Sequence, residues 1–200
     1  MRRGLILAGI ALATMGVSSA ANAAKVVTVS AMGNSSSGGA GLDTGIALTL
    51  GDFLTTTVSF SDLWSAGGLP RWSNANGLTG NLAATGSDES GLPAGTLIGT
   101  DFGLYTQSGF TAPYGALVGK IGNTYKLLGT SFSGPAWDSG NLVLFYWDSN
   151  NGDNSGSVDV TVAAVPEPAT WALMLGGFAM AGFALRRRNR STVRTTVRFG

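Results

Sequence analysis

The side chains best suited to act on another molecule gather in one short stretch of this 200-residue chain, Asp148 to Asn154, where two carboxylates, Asp148 and Asp153, stand among Asn150, Asn151 and Asn154. A glycosidase would need its two carboxyl groups on either side of a cleft at a defined separation. Two acids in one loop share a cation more readily than they divide acid and base roles, so catalysis is not expected. The same stretch has the composition of an ordinary polar hairpin loop, since Asp, Asn, Gly and Ser are what such turns use. Trp64, Trp72 and Trp137 have the flat faces on which sugar rings stack, but in a β-sandwich an indole more often packs into the core.

What is missing narrows the chemistry further. The chain has no Cys and no His, which removes disulfides, thiol catalysis, the usual zinc sites and Ser-His-Asp triads. The formal charge is +1, yet Arg2, Arg3 and the six arginines from Arg186 to Arg198 carry most of the positive charge. Residues 24–165 hold four bases, Lys25, Arg71, Lys120 and Lys126, against ten acids, a net of 4 − 10 = −6. An acidic body is a poor partner for nucleic acid, which requires a basic face, and it is compatible with cation binding.

Strands must position these residues. Leu54, Thr56, Val58 and Phe60 alternate with Phe53, Thr55, Thr57 and Ser59, and Val158, Val160 and Val162 alternate with Asp159, Thr161 and Ala163, each the pattern of a half-buried strand. Leu142 to Trp147 is apolar on both faces and suits a central strand, and Ala116 to Ile121 is a further short one. Runs such as Gly33 to Gly41 and Ala83 to Gly91 read as surface loops. With 31 Gly and no amphipathic helix of useful length, the pattern predicts an all-β fold, an antiparallel β-sandwich of the jelly-roll kind, over residues 24–164.

The two ends read as addresses. Met1-Arg2-Arg3, an apolar stretch from Gly4 to Val17 and Ala21-Asn22-Ala23 form a signal peptide over residues 1–23, cut by signal peptidase after Ala23. Its apolar stretch, as a helix, is about 21 Å long, too short for a bilayer core. At the other end Pro166-Glu167-Pro168 precedes an uncharged segment and then Arg186, Arg187 and Arg188. The prolines keep a helix from running back into the domain, residues 169–185 are expected to form a marginal transmembrane helix, and the arginines orient its C-terminal end to the cytoplasm. Residues 191–200 are a basic tail.

Residues 165–190 closely resemble the PEP-CTERM sorting signal, with Pro166-Glu167-Pro168, a helix opening on Ala169-Thr170-Trp171-Ala172-Leu173 and a basic end. The resemblance implies recognition and cleavage by an exosortase, anchoring in the inner membrane before that step, and delivery to the cell surface or extracellular matrix, often in bacteria that secrete exopolysaccharide. The tail after Arg190 departs from the pattern, which usually stops soon after the basic cluster. A plain C-terminal anchor that is never cut is the competing expectation.

A second resemblance covers residues 45–163. Gly115-Ala116-Leu117-Val118-Gly119-Lys120-Ile121-Gly122-Asn123, then Gly140-Asn141-Leu142-Val143-Leu144-Phe145-Tyr146-Trp147-Asp148, then Asp153-Asn154-Ser155-Gly156-Ser157-Val158-Asp159-Val160 resemble the PA-I galactophilic lectin, a calcium-dependent, galactose-binding-like sandwich. Ca²⁺ takes six to eight oxygen ligands. The resemblance implies that Asp148, Asp153 and Asn154 ligate Ca²⁺, with Asp148 and Asp153 also touching sugar and a main-chain carbonyl supplied near Asn150 or Asn151. Asp153 replaces an asparagine of the family, the loop is two residues shorter, and the family's sugar-contacting histidine has no counterpart, so galactose specificity does not transfer. The expected protein is an exported, non-enzymatic, lectin-like binder or organiser of extracellular polysaccharide. The alternative is a structural or adhesion protein of the matrix without a working site.

Overall fold

The computed structural model describes residues 23–38, 40–165, 170–188, 197, 198 and 200. Apart from Ala23, the expected signal peptide lies outside them, as do Pro166, Glu167 and Pro168 and residues 189–196. Alternating and wholly apolar runs become strands: β1 (Lys25–Ser30), β2 (Leu42–Leu48), β3 (Phe53–Val58), β4 (Trp64–Ser65), β5 (Trp72–Ser73), β6 (Leu82–Ala83), β7 (Leu97–Gly99), β8 (Leu104–Gln107), β9 (Phe110–Pro113), β10 (Ala116–Ile121), β11 (Thr124–Leu127), β12 (Ser131–Pro135), β13 (Gly140–Trp147) and β14 (Ser155–Val165).

Two sheets result. In the first the order is β12-β3-β14-β4-β5, with β1 also on β14; in the second it is β11-β10-β13-β2. Every pairing between these strands is antiparallel. The sheets share one core, in which Val29, Leu54, Val158, Val160 and Val162 from the first meet Leu117, Ile121, Leu142 and Leu144 from the second. This is the antiparallel β-sandwich that the alternation predicts.

The alternation holds strand by strand. In β14, Val158, Val160, Val162 and Ala164 point inward and Asp159 is exposed. In β13, Leu142, Leu144 and Tyr146 enter the main core, whereas Trp147 joins a second cluster with Ala112, Ala116 and Val118. The β8–β9 hairpin covers that outer side, with Tyr105, Phe110 and Tyr125 around the Trp147 ring and Tyr105 O accepting from Trp147 Nε1 at 2.9 Å. The sequence correctly marks β13 as covered on both faces. Phe60 departs from its expected strand: β3 ends at Val58 and Phe60 stands 69% exposed.

The helix expected near the C-terminus forms as α1, Thr170–Arg188, and it closes on Arg186, Arg187 and Arg188. The expectation that 169–185 spans a membrane is not met: among the described residues, no helix is long and apolar enough to cross one. The uncharged part of α1 stops at Leu185, a rise of about 24 Å against a hydrocarbon core of about 30 Å, and three glycines thin its apolar surface.

Trp64 ties the layers together. It is fully buried, meets the Tyr146 ring edge-on at 4.6 Å, and donates from Nε1 to Gly115 O at 2.9 Å. Trp64 is therefore core, Trp137 packs at the core's edge, and Trp72 is half-buried in a third cluster with Leu63 and Ile98. Replacing Trp64 by Phe keeps an aromatic ring but deprives Gly115 O of that donor. It should lower unfolding free energy by about 1–3 kcal/mol, seen as a lower urea midpoint with an unchanged slope.

Candidate functional site

The segment Asp148 to Asn154 is not a hairpin. β13 and β14 never pair: β13 lies between β10 and β2, and β14 joins β1, β3 and β4. The segment carries the chain from one sheet to the other, so both of its ends are fixed by central strands. It folds as a 3-10 turn over Asn151–Asp153, capped by Asn150, whose Oδ1 accepts from Gly152 N at 3.1 Å. At its far end Gly156 takes a φ of +82°, and a Cβ there would come within 3.1 Å of Trp64 Cα, so the strand start is reserved for glycine.

Asp148 is held through its backbone by the neighbouring segment 31–38. Ser36 Oγ accepts from Asp148 N at 3.1 Å and donates to Asp148 O at 2.9 Å, and Ser36 N donates to Tyr146 O at 2.9 Å. The Asp148 residue is only 4% exposed. Burial pushes its carboxyl above the usual range; the Asn150 and Ser149 amides and the Asn154 side chain oppose the shift, and the Asp153 charge adds to it. The structure thus brings Asp148 and Asp153 within electrostatic reach of each other.

Asn154 is 1% exposed; its Nδ2 donates to Ala31 O at 3.2 Å, and its Oδ1 has no hydrogen-bond partner. The Tyr146 hydroxyl, which faces Gly115, is also buried without a partner; burial, then the charges of Asp148 and Asp153, push its pKa well above the ordinary tyrosine value. Unpaired buried oxygens are costly, and the Asn154 side chain that carries one adjoins the buried Asp148 carboxyl.

Asp153 sits differently. Its Oδ1 accepts from Asn150 Nδ2 at 2.8 Å, and Arg71 Nη1 lies 3.8 Å from its Oδ2. The Arg71 guanidinium rests over the Phe102 ring, 4.3 Å from the centroid, and a side chain at Gly67 would collide with the Asp153 carboxylate. Sequence reasoning did not single out Ser36, Tyr146 or Arg71 for this site. Of the two carbonyls expected to serve the ion, Asn150 or Asn151, the Asn151 oxygen accepts from Asn154 N at 3.4 Å. Among the described residues, no three His, Cys, Asp or Glu side chains form a group that could hold a metal, so any cation here would need amide and main-chain oxygens as well.

The raised Asp148 pKa fixes a sign. Above that pKa the native state carries a charged buried carboxylate; below it the group is neutral and the cost disappears, so this residue favours the native state increasingly as pH falls through the folded value. In chelator at pH 7, Asp148→Asn should melt above the unaltered protein, with the gap narrowing as pH falls through the folded value. Melting below the unaltered protein at pH 7 would show that the charge is already compensated.

Comparison with known proteins gives two findings. A solved structure, the N-terminal domain of EclA, described as a PllA-like lectin, is similar at 21% identity with a TM-score of 0.45, over 70% of this chain and 94% of that one. No curated protein matches the chain. Residues 164–188 match the PEP-CTERM protein-sorting motif.

Proposed function

We propose that this chain is an exported, non-enzymatic carbohydrate-binding module that binds or organises extracellular polysaccharide through a calcium ion held by Asp148, Asp153 and Asn154. The observation that carries the reading is the buried, unpartnered Asn154 Oδ1 beside the buried Asp148 carboxylate. A hard cation would satisfy the first and neutralise the second, and both donors are the oxygen type Ca²⁺ prefers. The likeness of the segments around the loop to the PA-I galactophilic lectin supports the same assignment. Asp148 and Asp153 are the side chains to touch sugar hydroxyls beside the ion.

Delivery rests on the sorting motif at 164–188. The signal peptide takes the chain to signal peptidase and across the inner membrane, and an exosortase-type enzyme removes the tail and releases the domain to the surface or matrix. The domain 24–164 is then the part that works.

One observation favours a second reading, a structural or adhesion protein without a metal. Both oxygens of Asp153 already face donors, Asn150 Nδ2 and Arg71, so the cation must displace them. Calcium titration decides between the two. At 100-fold excess over its dissociation constant, calcium should stabilise the protein by about 2.7 kcal/mol, raising Tm by several degrees, reversibly with chelator; Asp148→Ala should remove the shift. An unchanged Tm at 10 mM calcium would favour the second reading.

Sorting is tested separately. A chain lacking residues 166–200 should still be exported but should lose retention at the envelope, and surface-extracted full-length protein should have an intact mass lacking residues 171–200. Unchanged location after the deletion would end the sorting assignment.

A further inference from the structure

A second cavity lies apart from the calcium loop. It holds about 280 Å³ and is lined by residues that include Phe60, Trp72, Asn74, Asn76, Gly80 and Asn81. None of its lining residues belongs to Asp148–Asn154, and none is charged. At this size it suits a single ring rather than an extended cofactor.

The orientation of one amide in it is fixed. Asn76 Oδ1 accepts from Thr130 N at 2.9 Å and from Thr130 Oγ1 at 3.1 Å. A backbone N–H only donates, so this bond fixes which end of the amide is oxygen. Among the described residues the Asn76 Nδ2 group has no partner. Asn81 Oδ1 accepts from Thr100 Oγ1 at 3.2 Å; a hydroxyl both donates and accepts, so either end of the Asn81 amide can meet a ligand. Asn74 completes the frame: its Oδ1 accepts from Asn76 N at 2.9 Å, and its Nδ2 donates to Phe60 O at 3.4 Å. That last bond pins the Phe60 backbone while the residue remains 69% exposed.

The geometry points to a binding site for a neutral pyranose, in which the exposed Phe60 ring packs on the C–H face of the sugar, the Asn76 amide donates to its hydroxyls and the Asn81 amide pairs with them. Aromatic faces combined with one preoriented amide donor and a second amide free to donate or accept fit a ligand that is apolar on one side and hydroxylated around its rim. The uncharged lining gives no counter-ion to a phosphate, sulfate or uronate, and the net −6 of residues 24–165 works against nucleic acid. This site is independent of the proposed calcium loop and would give the domain two points of attachment to one polysaccharide.

Gly80 supplies a clean blocking variant, because it has no left-handed φ and a Cβ there meets no atom within 4 Å. Saturation-transfer NMR with methyl α-D-glucopyranoside and methyl α-D-galactopyranoside, in chelator, is the test. At least one probe should show transfer in the unaltered protein and in Asp148→Ala. Phe60→Ala and Gly80→Phe should each weaken binding by about five-fold or more with Tm unchanged. Transfer that vanishes in chelator and in Asp148→Ala but survives Phe60→Ala and Gly80→Phe would place the sugar on the calcium loop and overturn the proposal. Absence of transfer from both probes at 50 mM would overturn it as well, and would leave the calcium-dependent Tm shift as a separate result.

Discussion

The crossing from β13 to β14 constrains most of what surrounds it. Each strand lies inside its own sheet, so the seven residues between Trp147 and Ser155 must step from one layer to the other while the two ends stay fixed. Layers of a sandwich are about 10 Å apart. A link that short cannot wander over the surface, and its first and last residues, Asp148 and Asn154, are drawn into the protein. Polar side chains become buried here because the path demands it, and their burial gives Asp148 its raised pKa and leaves the Asn154 oxygen unpaired.

The neighbours of the crossing come from distant parts of the chain. Segment 31–38 clasps Asp148 through Ser36 and receives the Asn154 amide at Ala31, and Gly67 and Arg71 face Asp153 from another side. The loop is consequently framed by backbone and by one cation, and free carboxylates contribute little. Asn150 and Arg71 currently meet the charge of Asp153 where a metal would otherwise do so. Such an arrangement is stable with its charges met by the chain's own side chains.

Period-two patterning made the strands that build the core legible: β3, β10, β13 and β14 fall where alternation or a doubly apolar run indicates. The two-residue strands β4 to β6 were invisible, because a pair of residues carries no period and is held only by its partners, as Trp64 and Ser65 are by Ser73 and Trp72. Phe60 misled because alternation continues past the point where the Ser59–Asp62 turn ends the strand. In the site, Asp148, Asp153 and Asn154 are near neighbours in sequence and could be named from it. Ser36 and Arg71 are 112 and 82 positions away from the residues they touch (148 − 36 and 153 − 71), a contact only the folded topology creates. The membrane helix was overread, since a run without charges was taken for a span although its rise falls short.

Val165 ends β14 and pairs with Phe53, at the start of β3, and the sorting tail continues directly from that strand. Traction applied through the tail therefore runs along an interior strand bonded to β1 on one side and β3 on the other. Antiparallel ladders loaded lengthwise share the strain over many hydrogen bonds at once, whereas peeling from an edge breaks them singly. A pull on Val165 would therefore load the β14–β3 ladder along its length and not peel it bond by bond from an edge.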